Sequence, residues 1–229
     1  MDITNTQKIC YIVGAGDIYK YKLSPKESDF IIAVDGGYDH LKQQKIVPNF
    51  TIGDFDSVKS QLPETSIKRL PRDKDDSDTL AALKYGIKLG YRTFYIYGGT
   101  GGDRFDHTFA NIQCLAYLSQ RGCHGLLFTK NEIITAITND SVSYNKKSQG
   151  MISIFAYSPI AKGITIKGLK YTLTEESLSC DFPKGLSNEF IGTDSVISVK
   201  DGTLIIISHH LPEAKSAFSP LENQKTFSK

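Results

Sequence analysis

Cysteine, methionine and tryptophan are scarce in this chain. Its 229 residues contain four cysteines, two methionines and no tryptophan. The cysteines are scattered at Cys10, Cys114, Cys123 and Cys180, and no pair of them forms a Cys-x-x-Cys motif. This distribution argues against a disulfide framework and against a zinc site built from thiolates. We therefore expect reduced thiols and a cytoplasmic protein.

Long apolar runs and blocks of a single charge are also missing. The apolar stretches, such as residues 204–207, have the length of a strand and fall well short of a membrane span. The first residues do not combine a basic segment with an apolar one, so we expect no signal peptide. The formal net charge is only +2 and there is no long run of Lys or Arg. This balance argues against a general nucleic-acid-binding protein.

The pattern of predicted secondary structure changes near residue 130. Before this point, short buried runs alternate with helical patterns, including helices predicted over residues 78–89 and 108–121. This alternation predicts an α/β domain with a mainly parallel sheet over residues 1–130. Short β-rich pieces then predict an all-β sandwich over residues 131–215, with a hairpin at Asp201-Gly202. Residues 216–229 are predicted to form a polar tail.

Two acidic clusters lie beside apolar segments of the first domain. Asp54 and Asp56 follow a strand-like run, and a spacing of two in an extended chain points both carboxylates to the same side. The second cluster precedes the helix at residue 78 and contains Asp73, Asp75, Asp76 and Asp78. Close like charges repel unless a cation lies between them, and carboxylate oxygens suit Mg²⁺ or Mn²⁺. Two such clusters indicate a site for a metal ion with a phosphate substrate.

A structural alternative exists for the second cluster. Acidic residues favour the first turn of a helix, and Asp75, Asp76 or Ser77 fits an N-cap. At least one of the four aspartates is expected to be structural, and the sequence does not choose which of them bind a metal.

Three loops that contain glycine follow predicted strands of the same domain. Gly14 and Gly16 follow the first strand, Asp35-Gly36-Gly37 follows the second, and residues 98–102 form a third loop after the strand at 93–97. Glycine lets a ligand approach the backbone, and N–H groups in such loops bind phosphate. Asp35 would face the ligand crevice of an open α/β sheet, although it also fits a helix N-cap.

Polar residues at two further places are candidates for ligand contact. Arg104 has a planar cation suited to phosphate or carboxylate, whereas the structural alternatives are a local ion pair with Asp106 and a polar helix start at His107. In the second domain, Ser187 and Asn188 either form a plain turn or bind a small polar ligand.

Taken in order, these segments resemble the thiamine pyrophosphokinase family over nearly the whole chain. The motifs are Asp35-Gly36-Gly37, Gly53-Asp54-Phe55-Asp56-Ser57, Asp73-Lys74-Asp75-Asp76-Ser77-Asp78, Gly101-Gly102-Asp103-Arg104-Phe105-Asp106-His107 and Ser187-Asn188-Glu189. Asp103 departs from the family pattern, in which Arg follows the glycines more directly. The resemblance implies a catalytic α/β domain and a β-sandwich domain. It also implies a homodimer, in which thiamine binds between the α/β domain of one subunit and the β domain of the other.

The resemblance further implies a reaction and a set of site residues. The pyrophosphoryl group of ATP would pass to the hydroxyl of thiamine, which gives thiamine diphosphate and AMP. Mg²⁺ would be held by Asp54, Asp56, Asp73 and Asp75. Asp35 would support that site or orient the alcohol, and the general base stays open among Asp35, Asp54 and Asp56. Arg104 would stabilise charge on the phosphates, and Asp106 and His107 would order the loop. Ser187 and Asn188 of the partner subunit would contact thiamine. The nucleotide pocket would be lined by Gly14, Gly16, Gly98, Gly99, Thr100, Gly101 and Gly102.

Two other functions stay open on the sequence alone. Residues 54–58 also fit the Asp-x-Asp-x-Thr/Val pattern of haloacid-dehalogenase-like phosphatases, in which Asp54 would be a covalent nucleophile. That motif normally lies close to the N-terminus, and it leaves the Asp-Gly-Gly and Arg-Phe-Asp-His segments without a role. The third hypothesis is a non-catalytic protein that binds thiamine or a nucleotide, because a fold does not fix a function.

Overall fold

The computed structural model describes residues 8–53, 67–69 and 76–213, and at 67–69 it describes the backbone alone. The chain divides into two compact units between Asn131 and Glu132. None of the described helices is long and apolar enough to cross a membrane.

The first unit alternates strands and helices. Its described strands are β1 (Ile9–Val13), β2 (Phe30–Val34), β3 (Phe50–Gly53), β4 (Ile67–Arg69), β5 (Thr93–Tyr97) and β6 (His124–Phe128). Its described helices are α1 (Gly37–Gln43), α2 (Asp78–Lys88) and α3 (Phe105–Ser119). All of these strands pair in parallel, in the order β4-β3-β2-β1-β5-β6. This arrangement confirms the predicted α/β class.

The strand order creates one crevice in the middle of this sheet. From β1 the chain moves outward through β2 and β3 to β4, then returns to the other side of β1 with β5 and continues to β6. The order therefore reverses between β1 and β5. In open α/β sheets, ligands bind beyond the carboxyl ends of the strands at such a reversal. The loops after β1 and β5, which carry two of the predicted glycine motifs, begin at this place.

Helix α2 covers one face of the sheet at close range. A methyl group on Gly86 would lie 2.6 Å from the Phe94 ring and 3.0 Å from Cys10 Sγ, so the absent side chain lets the helix approach the strands. The residues that alternate with Phe94 and Cys10 point to the opposite face. There Tyr11, Tyr97 and the Phe128 ring stack on one another, with the Tyr97 and Phe128 centroids 4.3 Å apart. Both faces of the central strands are thus buried, which explains their nearly continuous apolar sequences.

The second unit is all-β over its described residues. Its strands are β7 (Ile133–Thr138), β8 (Ser141–Tyr144), β9 (Met151–Ala156), β10 (Ile160–Lys167), β11 (Leu173–Ser179), β12 (Asn188–Glu189), β13 (Ser195–Ser198) and β14 (Thr203–Ser208). They form two antiparallel arrays, β12-β9-β14-β7 and β11-β10-β13-β8. Ile154 and Ile206 of the first array and Ile166 and Ile197 of the second belong to one hydrophobic core. This confirms the predicted sandwich.

The predicted hairpin at Asp201-Gly202 is wrong. β13 pairs with β8 and β10, whereas β14 pairs with β7 and β9. The turn therefore carries the chain from one array to the other. Gly202 has a φ of +115°, and Asn139 Oδ1 accepts its N–H at 2.8 Å. The turn chemistry was interpreted correctly, but the partners of the flanking strands are fixed by core packing.

Candidate functional site

A cleft of about 820 Å³ opens at the reversal of strand order in the first unit. This volume lies within the usual range for small-molecule sites. The cleft is lined by Gly14, Gly16, Asp35, residues 98–102, Arg104, Asp106 and His107. Every predicted nucleotide-site residue of this unit that the structure describes therefore lies around one cavity.

Three backbone hydrogen bonds join the first glycine loop (residues 14–17) to β5 and the second glycine loop (residues 98–104). Gly14 N donates to Tyr97 O at 2.8 Å, Gly16 N to Gly98 O at 2.8 Å, and Asp17 N to Thr100 O at 2.9 Å. The two loops consequently form one continuous wall of backbone along the cleft.

Glycine is required where these loops touch. A Cβ on Gly16 would lie 2.6 Å from Thr100 O and 2.8 Å from Gly98 O, and one on Gly14 would lie 2.7 Å from Gly98 O. Gly101 has a φ of +84°, which other residues adopt only with strain. The glycines thus allow both the close contact of the loops and the turn that follows it.

Two side chains that the sequence analysis did not single out hold this wall in place, and Asn111 also lines the cleft. The Nε2 atom of His40, on α1, lies 2.9 Å from Gly16 O. Asn111 Nδ2, on α3, donates to Gly99 O at 2.8 Å, and Asn111 is only 7% exposed. A polar amide among the apolar residues of a helix was the available signal for Asn111, whereas no pattern in the sequence indicates His40.

Asp35 occupies the end of β2 in an unusual conformation. Its φ is +46°, in the left-handed region, and its N–H donates to Ile52 O at 3.0 Å. Its carboxylate lies against Gly53, where an added Cβ would be 1.7 Å from Oδ1. Because Gly53 directly precedes Asp54, the structure brings the Asp35 carboxylate to the start of the predicted metal-binding segment.

The start of α2 assigns structural roles within the second acidic cluster. Ser77 is the N-cap, because its Oγ accepts a hydrogen bond from Leu80 N at 3.2 Å. Lys84 Nζ donates to both carboxylate oxygens of Asp76, at 2.6 Å and 2.7 Å. Asp76 and Asp78 also line the cleft. Asp76 is thus held by a cation of its neighbouring helix, and Ser77 is the cap among the three candidates.

The four predicted metal ligands, Asp54, Asp56, Asp73 and Asp75, lie outside the described residues. Within the described ranges, no three His, Cys, Asp or Glu side chains are placed to hold a metal ion. The donor chemistry nevertheless fits Mg²⁺, which prefers carboxylate oxygens and usually binds through one or two of them together with substrate phosphates. Asp35 and Asp78 add further carboxylates to the same cleft.

Arg104 and Asp106 form an exposed ion pair at the cleft. Arg104 Nε donates to Asp106 Oδ1 at 2.9 Å and Nη2 donates to Oδ2 at 2.6 Å, with the side chains 68% and 62% exposed. The hydrogen bonds from Arg104 lower the pKa of Asp106 to about 2. His107 N donates to Arg104 O at 3.2 Å. The structural alternative for this pair is therefore present here, and its exposure leaves the guanidinium open to competition by an anion.

Ser187 and Asn188 differ in what they present to solvent in the second unit. Ser187 is exposed, has a φ of +61°, and donates its N–H to Ser153 Oγ at 3.1 Å. Asn188 is buried, its Nδ2 donates to Tyr171 O at 2.7 Å, and its Oδ1 accepts from Tyr171 N at 2.9 Å. Contact with thiamine stays a prediction for both residues.

Comparison with known proteins identifies relatives along most of the chain. Residues 21–127 match the family profile described as "Thiamin pyrophosphokinase, catalytic domain", and residues 139–204 match "Thiamin pyrophosphokinase, vitamin B1 binding domain". The thiamine pyrophosphokinase of Bacillus subtilis (strain 168) is 29% identical over 183 residues, which are 77% of this chain and 85% of that protein.

Solved structures agree with these matches. The crystal structure of thiamine pyrophosphokinase from Bacillus subtilis superposes with a TM-score of 0.78 at 27% identity and covers 89% of this chain and 100% of that one. The thiamin pyrophosphokinase of Candida albicans has a TM-score of 0.67 at 16% identity, covering 89% of this chain and 90% of that one. At that identity the likeness shows the fold alone.

Proposed function

The chain belongs to the thiamine pyrophosphokinase family, and from this premise we propose that it transfers the pyrophosphoryl group of ATP to the hydroxyl of thiamine. The products are thiamine diphosphate and AMP. The observation that carries this proposal is the order of the two family matches, with the catalytic domain in the first unit and the vitamin B1 binding domain in the second.

The glycine-lined cleft is proposed to bind ATP. Backbone N–H groups and a planar cation suit the phosphates, and phosphoryl-transfer enzymes act mainly by positioning and by stabilising charge. Arg104 is proposed to exchange its bonds to Asp106 for bonds to a phosphate, while Asp106 and His107 order the loop. Gly14, Gly16 and residues 98–102 supply the backbone that a phosphate can approach.

Mg²⁺ is the proposed cofactor, held by Asp54, Asp56, Asp73 and Asp75. When bound, it would neutralise charge on the phosphates and help to align the triphosphate. Asp35 is proposed either to support these ligands or to orient the thiamine alcohol. Its left-handed backbone and its place against Gly53 support a role that depends on an accurate direction of the carboxylate.

Thiamine is proposed to contact Ser187 and Asn188 of the second unit, in a cytoplasmic homodimer whose partner completes the site. The exposed Ser187 hydroxyl is suited to direct contact. Asn188 instead holds the backbone of Tyr171, so its proposed contribution includes keeping this turn in place for the ligand.

Product analysis tests the proposed reaction. The purified protein is incubated with ATP, Mg²⁺ and thiamine, and the nucleotides and thiamine species are separated. AMP that forms in step with thiamine diphosphate supports the proposal. ADP with thiamine monophosphate, phosphate released without thiamine, or binding without turnover would refute it in favour of a simple kinase, a phosphatase or a binding protein.

Removing one charge from the first acidic cluster tests the metal assignment. We expect Asp54→Asn or Asp56→Asn to reduce turnover by at least about a hundredfold, because charge stabilisation of the transferring group supplies several kcal/mol. Asp181→Asn makes the same chemical change at an exposed position of the second unit and serves as the control. Near-normal activity in both cluster variants, with unchanged folding by circular dichroism, would remove these residues from the metal site.

A further inference from the structure

We propose that His40 and Asn111 are positioning residues for ATP, each of which fixes the direction of peptide groups in the two glycine loops. The proposal rests on the proposed function in one respect, since the phosphates of ATP are taken as the anion that these loops bind. Neither side chain needs to touch the nucleotide to exert this effect.

Asn111 fixes the peptide between Gly99 and Thr100. Its Nδ2 donates to Gly99 O at 2.8 Å from a buried position on α3. The described chain has no cis peptide bond, and in a trans peptide the C=O and the following N–H point in opposite directions. The N–H of Thr100 is therefore directed away from α3 for as long as the Asn111 bond exists.

His40 fixes the peptide between Gly16 and Asp17. Its Nε2 lies 2.9 Å from Gly16 O, and because a carbonyl only accepts, Nε2 must carry the proton. The N–H of the same peptide donates to Thr100 O at 2.9 Å. This peptide is thus held at both ends, and its N–H holds the next carbonyl along the second glycine loop. By the same trans-peptide rule, the N–H of Gly101 is directed away from the first loop.

The two side chains therefore act on consecutive peptides of the second glycine loop. Asn111 holds the Gly99–Thr100 peptide directly, whereas His40 holds the Thr100–Gly101 peptide through the Gly16–Asp17 peptide. Glycine-rich backbone is conformationally free, and Gly98 and Gly101 adopt φ values of +63° and +84°. A flipped peptide in such a loop would present a carbonyl oxygen to a phosphate in place of an N–H. Two side-chain donors that prevent the flip would preorganise the anion site, which raises affinity by reducing the ordering that binding requires.

Donor deletion with matched controls tests the proposal. Asn111→Leu keeps nearly the same shape without a donor and without a new charge in the cleft that Asn111 lines. His40→Phe keeps a ring without an N–H, and His40→Gln restores a donor. Gln44→Met is the control on the C-cap of α1, because the Gln44 amide binds Leu23 N at 2.9 Å and Tyr21 O at 3.1 Å, outside the cleft. Leu118→Ala is the control on α3, where Leu118 packs against Gly125.

We expect the calorimetric Kd for ATP to rise about tenfold in Asn111→Leu and in His40→Phe, the size expected from losing one hydrogen bond. The KM for ATP should rise by the same factor, while kcat and the KM for thiamine stay within about threefold. His40→Gln should recover most of the affinity. Each variant's melting temperature is compared with that of its control. The smaller, uncharged Asn111→Ser is measured alongside Asn111→Leu as a second variant.

ATP affinities in the donor-deletion variants that match those of the controls would overturn the proposal. So would a His40→Gln variant as weak as His40→Phe, because the donor would then be irrelevant. Failure of the proposed reaction is a separate result. A wild-type protein that binds ATP but forms no thiamine diphosphate, with ATP binding weakened in the variants, would refute the reaction and support the positioning role.

Discussion

Gly16→Ala tests the close contact between the two glycine loops. Gly16 is not among the residues with positive φ, so alanine meets no backbone strain there. In open space this change stabilises a protein by about 0.4–1 kcal/mol, because it restricts the unfolded chain. Any loss of stability must therefore come from the added methyl group and its two neighbours.

The size of the loss follows from two distances. The new Cβ would lie 2.6 Å from Thr100 O and 2.8 Å from Gly98 O, and ordinary contact begins at 3.4 Å. The loops must separate by 0.6–0.8 Å, which is the difference between 3.4 Å and each of these distances. That shift would stretch the 2.8 Å and 2.9 Å bonds from Gly16 N and Asp17 N beyond useful length. Two lost bonds at about 1 kcal/mol each, less the entropic gain, leave a net loss of about 1–2 kcal/mol.

Urea unfolding and ATP calorimetry together measure this prediction. We expect Gly16→Ala to lower the free energy of unfolding by that amount and to weaken ATP binding by at least tenfold. Gly122→Ala is the control, because Gly122 lies in open space with a φ of +65° and is not among the residues that line the cleft. It should lose stability through strain alone, by about 1 kcal/mol, and bind ATP normally. A Gly16→Ala protein that is as stable as wild type and binds ATP equally well would refute the argument.

Three further predictions concern the scaffold of the first unit. Burial lowers the pKa of His124 to about 4 from an ordinary 6.5, so the unfolded chain binds more protons between these values and stability falls as pH drops from 6.5 to 4. Allowing for partial exposure, the free energy of unfolding falls by about 2 kcal/mol over this range. In urea unfolding, His124→Gln should show a flatter dependence of this free energy on pH than the wild type. The same pH dependence in both proteins would exclude His124 as its source. Ser77→Ala removes the α2 cap and should cost about 1 kcal/mol in urea unfolding, and a Ser77→Asp variant that is no more stable than Ser77→Ala would speak against the cap. Gly86→Ala should lower the melting temperature despite a gain of about 1 kcal/mol in helix propensity, because its methyl would lie 2.6 Å from Phe94, and a higher melting temperature would mean that the ring can move aside.

The sequence indicated which residues of the first unit line the cleft, because parallel strands end at a common edge. Gly14, Asp35 and Gly98 each follow a predicted strand, and adjacent parallel strands bring such residues together without any knowledge of the loops. The helix boundaries were predicted less accurately than the strands. The predicted start at Thr108 lies three residues after Phe105, where α3 begins. The sequence of residues 104–107 has no helical periodicity and therefore resembles a loop. The structure explains this, because the first turn of α3 is exposed and has no apolar face to bury.

Other features depend on contacts that a sequence pattern does not contain. The Asp201-Gly202 turn was mistaken for a hairpin because turn chemistry is local, whereas strand pairing is decided in the core. β4 was not predicted, since three residues without a clear apolar pattern carry little signal. His40 could not be recognised as a loop anchor, because its partner is a backbone carbonyl 24 residues away that any residue would supply.

The joined glycine loops have a consequence for how the protein is made. Tyr19 and Thr100, which meet across these loops, are 81 residues apart in the chain, and β1 pairs with β5 only after β2, β3 and β4 have been synthesised. A nascent chain that stops before β5 holds one half of the crevice with no opposite wall. Closing so long a loop is slow, because its entropic cost is offset only when the contacts between β1 and β5 form. A nucleotide bound as proposed would therefore meet both walls of the cleft only after β5 has been synthesised, and its capture would report that β1 and β5 have paired.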